Sequence, residues 1–217
     1  MMLCMVIAIA FALLLNEVRI KIMMKTVQTI VYLPHFLSWV VLASVVTNMF
    51  GLDGSVNQVL ASLGLEKVNF LGNSRVFPSL IIGTDVWNEF GYSSVVYLAA
   101  ITSIDPGLHE AATMDGASWW KRIWHVTLPG MLPIILLMTA TNLTSILSAG
   151  FDQIYNLYSP LVYETGDVLD TYVYRIGLVG RQYSFGAAVG LCRSIVGMVM
   201  LLSSNPLTKN LTDQKIF

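Results

Sequence analysis

A carboxylate followed by two alanines, Glu110-Ala111-Ala112, lies in the one long polar-containing stretch, residues 105–133, that separates two strongly apolar segments. Taken alone such a triplet is common in ordinary helices and assigns nothing; its meaning depends on its spacing to the residues that follow. The small alanines would let another surface approach closely. The simpler role is a carboxylate near a helix start, where the dipole favours it by a few tenths of a kcal/mol. Local punctuation sets the frame. Asp105 can accept from the open N–H groups of a helix start, and Pro106 suits the first helical position. A short helix over 108–115 then carries Glu110, Ala111, Ala112 and Asp115. Gly116 can take the positive φ that ends it, and Ser118 can cap a second helix from Trp119 to about Val126. That helix is expected to stop before Leu128-Pro129, because proline lacks the N–H and clashes with the preceding turn. The expected object is a helix–glycine–helix elbow lying against a membrane. Trp119, Trp120 and Trp124 serve as its interfacial anchor, and Lys121 and Arg122 contact lipid headgroups.

A second concentration of polar groups covers 148–175. Phe151, Tyr155, Tyr158, Tyr163, Tyr172 and Tyr174 interleave there with Asp152, Gln153, Asn156, Glu164, Asp167 and Asp170. Aromatic faces beside carboxylates and amides are what sugar rings require. The C–H faces stack while the hydroxyls take hydrogen bonds. An aromatic belt at a membrane surface beside a solvated acidic loop would have the same composition.

Inside the apolar segments a charge costs about 2.5–3.5 kcal/mol or more, so each polar residue there needs a reason. Asp85 and Glu89 lie one helical turn apart, as a cavity-facing pair or as a water-accessible helix start; for Asp85 the second is favoured. Thr139, Asn142 and Ser145 share a helical face suited to interhelical hydrogen bonds or to a pore lining. Asn142 and Ser145, with Phe151, Asp152, Gln153 and Tyr155, form the expected substrate path. Gly186 and Gly190 have GxxxG spacing, a weak close-packing signal, and Arg193 must face protein or water.

Enzyme signatures are absent. His35, His109 and His125 are scattered without partners at metal-ligand spacing, and no Gly-x-x-x-x-Gly-Lys-Ser/Thr phosphate cradle occurs. Cys4 and Cys192 read as small hydrophobes rather than a disulfide. A net charge of −1 with no basic run gives no case for nucleic acid.

The 217 residues are 55% hydrophobic and only 12% charged, with mean hydropathy +0.68. That is about half the charge of a soluble domain and describes a membrane domain. Five membrane segments are expected: 1–15, 36–50, 78–101, 131–149 and 184–204. The first falls short of the roughly 20 residues needed to span. It has neither the basic start nor the cleavage site of a signal peptide. It reads as the second half of a helix whose beginning lies outside the chain. With the elbow inside, Arg19, Lys21, Lys25, Lys121, Arg122, Lys209 and Lys215 lie inside, against Lys67, Arg75, Arg175 and Arg181 outside. That orientation makes 51–77 and 150–183 external. Residues 51–77 then read as turns around an amphipathic piece over 56–63, either a docking surface or a plain connector.

Glu110-Ala111-Ala112, three residues, Gly116, nine residues, then Val126-x-Leu128-Pro129 resembles the EAA loop of binding-protein-dependent ABC importer permeases, with Val126 where isoleucine is usual. Phe151-Asp152-Gln153-Ile154-Tyr155 and Tyr172-Val173-Tyr174-Arg175-x-Gly177 resemble carbohydrate permeases of the lipo-oligosaccharide/aldouronate branch. Leu14-Leu15-Asn16-Glu17-Val18-Arg19 and Tyr32-Leu33-Pro34-His35-Phe36 extend that likeness over nearly the whole chain. The resemblance implies an all-α, polytopic permease domain over 1–217, five segments of a six-span bundle, with a cytoplasmic coupling loop at 102–130. It also implies coupling through Glu110, Ala111, Ala112, Asp115, Gly116, Leu128 and Pro129. The partners implied are an ATP-binding cassette ATPase dimer that carries ATP and Mg, a second permease chain, and an extracytoplasmic sugar-binding protein. The chain itself would sit among lipid in the bacterial cytoplasmic membrane, hold no cofactor and catalyse no reaction. An ion-coupled secondary transporter of a polar solute is the alternative, with the elbow then incidental.

Overall fold

The computed structural model describes residues 1–144 and 150–212. All regular structure among them is helical. Three helical stretches are long and apolar enough to cross a membrane: Trp39–Ser62, Trp119–Asn142 and Tyr183–Met200. The apolar helix α1 (Met2–Asn16) is shorter. Helix α5 (Phe77–Thr102) has 26 residues, about 39 Å at 1.5 Å per residue, and carries Asp85 and Glu89 within it. The described chain divides into two compact units, residues 1–31, 90–144 and 197–212 in one, 32–89 and 150–196 in the other.

In the first unit α1 buries Cys4, Ala8, Ala12 and Leu15, a single stripe at helical spacing. Its two fully buried alanines let it lie close to Tyr97, Ala100 and Ile101 of α5 and to Met131, the small-residue packing that membrane helices favour. Phe11 meets Phe90 edge-on at 5.4 Å. Helix α2 (Lys21–Tyr32) is amphipathic and buries no side chain fully. Hydropathy alone passes over it, because Lys21 and Lys25 dilute its apolar face.

In the second unit a 3-10 turn over Leu33–Phe36 contains Pro34. The following helix α3 (Trp39–Phe50) begins at the Ser38 cap, three residues later than hydropathy places it. Its Ala43 and Val46 pack with Phe77 and Leu80 of α5, Leu157 and Val162. The stretch after α3 holds helix α4 (Ser55–Ser62) and is organised by Asn57, which is wholly buried. The Asn57 amide donates to the carbonyls of Gly51 (2.8 Å) and Val68 (2.9 Å), and its Oδ1 accepts from the Val68 N–H at 2.8 Å. Residues 150–183 are built from short helices: α9 (Phe151–Leu157), α10 (Tyr163–Gly166) and α11 (Leu169–Val173), then a π turn over Tyr174–Val179. Residues 51–77 and 150–183 are joined by hydrogen bonds. Ser74 Oγ donates to the Leu161 carbonyl at 3.2 Å, and Thr165 Oγ1 donates to the Ser74 carbonyl at 2.8 Å.

The last helix, α12 (Tyr183–Thr212), follows. Gly186 lies against Gly177, where a Cβ on Gly177 would come within 3.3 Å of the Gly186 Cα. A Cβ on Gly190 would meet nothing within 4 Å, so close packing involves Gly186 without the GxxxG pair.

Candidate functional site

Helix α6 (Pro106–Met114) starts as the sequence suggests, with Asp105 Oδ1 accepting from the Gly107 N–H at 2.9 Å. It ends at Gly116, whose φ is +75°. The Gly116 and Ala117 N–H groups close the end by donating to the carbonyls of Thr113 (3.0 Å) and Ala112 (2.9 Å). Past the bend, α7 (Trp119–Arg122) opens a π turn over Ile123–Thr127 that runs directly into α8 (Leu128–Thr144). The second arm of the elbow therefore does not stop before Pro129, as the proline rule leads one to expect. The π turn widens the register so that the Leu128 N–H reaches the Ile123 carbonyl. Pro129 falls at the second residue of α8 and is absorbed there. Leu128 and Pro129 consequently lie at the root of a membrane helix, beyond the bend itself.

The bend is stitched by side chains. Arg122 Nη1 donates to Thr113 Oγ1 at 3.0 Å, and the Thr113 hydroxyl donates to the His109 carbonyl at 2.7 Å. Arg122 is thus held by the elbow rather than by headgroups alone. Glu110, Ala111 and Asp115 are exposed and Ala112 is half-buried. Glu110 and Met114 are i, i+4 neighbours, and Met114 is 88% exposed. A charged group beside a large bare apolar one, on a helix fixed at both ends, can dock against a protein. Trp120 and Trp124 are exposed, as an anchor requires. Trp119 is half-buried and has a protein partner. Its indole Nε1–H donates to Glu17 Oε1 at 2.8 Å.

The aromatic cluster of 150–183 is continuous. Phe151 stacks on Tyr155 (5.3 Å, 17° between planes), and Tyr174 meets Tyr155 edge-on at 5.0 Å. Tyr158 and Tyr163 approach to 4.9 Å. The Arg175 guanidinium lies 4.4 Å from the Tyr163 ring centre and bonds Asp167 Oδ2 at 2.5 Å. Burial pushes the Asp167 carboxyl up, but hydrogen bonds from Arg175 and Thr171 hold it below the ordinary carboxylate range. The same bond to Asp167 raises the Arg175 pKa. Hydrogen bonding to Tyr174 raises the Tyr155 phenol. Tyr155 and Asp152 are exposed and Phe151 is half-buried, so part of the aromatic cluster and a carboxylate are open together. Gln153 is different. It is 2% exposed, and its amide donates to the Ile81 carbonyl and to Thr84 Oγ1, both at 2.8 Å. Both donors are spent on seating α9 against α5.

Among the membrane polar residues, Thr139 Oγ1 donates to the Ile135 carbonyl at 2.7 Å and lies 3.4 Å from Met5 Sδ, so this face meets α1. Asn142 is half-buried, and Ser145 lies outside the described residues. Glu89 pairs with His35 Nδ1 at 3.3 Å instead of with Asp85. Arg193 pairs with Asp170 of α11. No group of three or more His, Cys, Asp or Glu able to hold a metal occurs among the described residues. A cavity of about 560 Å³ in the second unit is walled by residues such as Val46, Phe50, Leu80 and Trp87. Ser79 and Thr84 are its hydroxyl-bearing wall residues, so it offers sugar hydroxyls few partners.

Residues 5–211 match a family model described as binding-protein-dependent transport system inner membrane component. The polygalacturonan/rhamnogalacturonan transport system permease protein YteP of Bacillus subtilis (strain 168) is 40% identical over 210 residues, 96% of this chain and 65% of that protein. Protein LplB of the same organism is 36% identical over 207 residues, 95% of this chain and 65% of that protein. The chain thus spans just under two-thirds of the length of these relatives. Among solved structures, a bacterial alginate ABC transporter in complex with alginate pentasaccharide-bound periplasmic protein is similar, with TM-score 0.93 and 41% identity over 98% of this chain and 74% of that one.

Proposed function

The chain belongs to this family of binding-protein-dependent transport system inner membrane components, and from that premise we propose that it works as the permease subunit of an ATP-driven sugar importer. The cargo is an oligosaccharide, moved across the cytoplasmic membrane by alternating access. One observation carries the coupling assignment. The Glu110 helix is a rigid, exposed elbow, capped at Asp105, bent at Gly116 and stitched by Arg122 to Thr113. Residues 102–130 of a single permease domain form the cytoplasmic coupling loop, where Glu110, Ala111, Ala112, Asp115 and Gly116 meet the ATPase. Leu128 and Pro129 lie where that motion enters α8.

The remaining partners follow from the same premise. Two ATPases with ATP and Mg close and reopen. A second permease chain completes the pathway, since one bundle lines only half of it. An extracytoplasmic binding protein delivers sugar to the external stretches 51–77 and 150–183. Ligands that bind the two states differently drive the switch between them. The relatives' substrates, polygalacturonan/rhamnogalacturonan and alginate, support an oligosaccharide bearing carboxylates. Phe151, Asp152 and Tyr155 form its external platform, Gln153 holds that platform in place, and Asn142 and Ser145 complete the proposed path.

A gentle-detergent pull-down from the native membrane tests the assignment. Recovery of an ATPase and a second permease is the expected result, and recovery of the chain alone would overturn it. The platform has its own test. Tyr155→Ala is expected to raise the KM for uptake about 2–12-fold, the worth of one aromatic contact. Tyr155→Phe should stay within about twofold of wild type if the ring face rather than the phenol carries binding.

A further inference from the structure

Glu17, in the Leu14–Arg19 motif that the transport reading leaves without a role, sits just past the last residue of α1. A carboxylate is badly placed there, because the open carbonyls of a helix C-terminus repel negative charge. No basic residue occupies the last turn of α1 to compensate. What meets the carboxylate comes from 102 residues away: the indole N–H of Trp119 donates to Glu17 Oε1 at 2.8 Å. An indole has a single polar hydrogen and cannot accept, so this bond fixes its direction. Trp119 is the first residue of α7, three positions after the bend at Gly116, and its ring is braced edge-on by Trp120 at 4.5 Å. The elbow passes into α8 through unbroken helix. It has no such backbone continuity with α1.

The geometry points to Glu17 as a positioning residue that clamps the end of α1 to the coupling elbow, so that a movement of the elbow carries α1 together with α8. This rests on the coupling role proposed for the elbow. It adds that the Glu17–Trp119 bond, beyond holding the resting structure, transmits force to a second membrane helix. The polar partner explains why a carboxylate stands where the helix dipole disfavours one.

The test uses the complete importer with its full-length permease chains, reconstituted in lipid vesicles. It measures the number of ATP molecules hydrolysed per sugar imported, beside the yield of assembled complex. Glu17→Leu keeps the bulk and removes the acceptor, and Trp119→Phe keeps an aromatic ring and removes the donor. Each is expected to raise the ATP-to-sugar ratio about fivefold, the effect of one net hydrogen bond, at unchanged yield. Glu17→Gln still accepts from the indole and should stay within about twofold. The double variant Glu17→Leu/Trp119→Phe should be no worse than either single one, because both break the same link. An unchanged ratio in Trp119→Phe, or a double variant showing the product of the two single effects, would overturn the clamp. If Glu17→Leu prevents assembly, Trp119→Phe and Glu17→Gln decide between these outcomes. Glu110→Lys in the same vesicles separates the two ideas. If it abolishes stimulated hydrolysis while Trp119→Phe changes nothing, the clamp alone falls; if it too changes nothing, the elbow's coupling role falls first.

Discussion

If the chain works as the permease proposed above, Glu110→Lys is expected to abolish the rise in ATP hydrolysis that sugar-loaded binding protein causes in the assembled importer, while the chain still enters the membrane in normal amount. Glu110 is exposed and one helical turn before Met114, which is 88% exposed. Among the described residues no hydrogen bond or ion pair engages the carboxylate, and the fold should accept the lysine. A docked partner would not. A carboxylate that docks faces donors or cations, and reversing its sign places like charges together at a cost of several kcal/mol. That corresponds to a weakening on the order of 100-fold or more. Glu110→Gln keeps the shape and some hydrogen bonding and should lose far less. The measurement is ATPase activity in reconstituted vesicles with and without sugar-loaded binding protein. Stimulation of Glu110→Lys at the wild-type level would remove the elbow from the coupling path.

The elbow was legible because its punctuation is local. Asp105, Pro106 and Gly116 act on backbone groups within a few residues, and each does in the structure what its chemistry dictates. The second arm was harder to read. Whether a chain facing Leu-Pro breaks or opens a π turn depends on the packing of the helix that follows. Here Met131, two residues beyond Pro129, is fully buried in the core with α1 and α5, which favours keeping the helix unbroken. Helix α2 escaped hydropathy because its lysines lie among apolar residues at a period that builds a one-sided face. The largest gap between sequence and site concerns carboxamides. Gln153 has the composition of a sugar ligand but is consumed by contacts 69 and 72 residues away. Asn57 attracts no notice in the sequence, yet holds the loop over 51–68 through three hydrogen bonds. An amide serves equally as ligand or as strut, and only the partner helix decides which. Glu17 and Trp119 show the same thing for charge, since a helix-end carboxylate becomes intelligible only beside an indole 102 residues on.

Gly91→Val is expected to cost more stability than any exposed substitution, and the reason lies in how α2 is attached. That helix buries none of its side chains fully, so large apolar contacts do not hold it. It instead comes backbone-close to α5. A Cβ at Gly91 would stand 2.8 Å from Val31 Cγ1 and 2.9 Å from the Val31 carbonyl carbon, and closer still to the carbonyl oxygen. A flexible side-chain tip could swing aside, but a backbone carbonyl moves only with the turn that carries it. Within α5 the Ser94 hydroxyl donates to the Gly91 carbonyl at 2.5 Å. Overpacking of side chains alone costs about 1–3 kcal/mol, and a backbone obstacle places valine at or above the upper end. For a chain of this size the melting temperature of the full-length protein in gentle detergent should fall by about 5 °C or more. Gly91→Ala meets the same carbonyl and should also destabilise, by less. Gly83 lies earlier on the same helix, and a Cβ there would meet nothing within 4 Å. Gly83→Ala should therefore be neutral or stabilising, by up to about 1 kcal/mol of helix propensity. Equal melting temperatures for Gly91→Val and Gly83→Ala would mean that α2 is not held by backbone contact at Gly91.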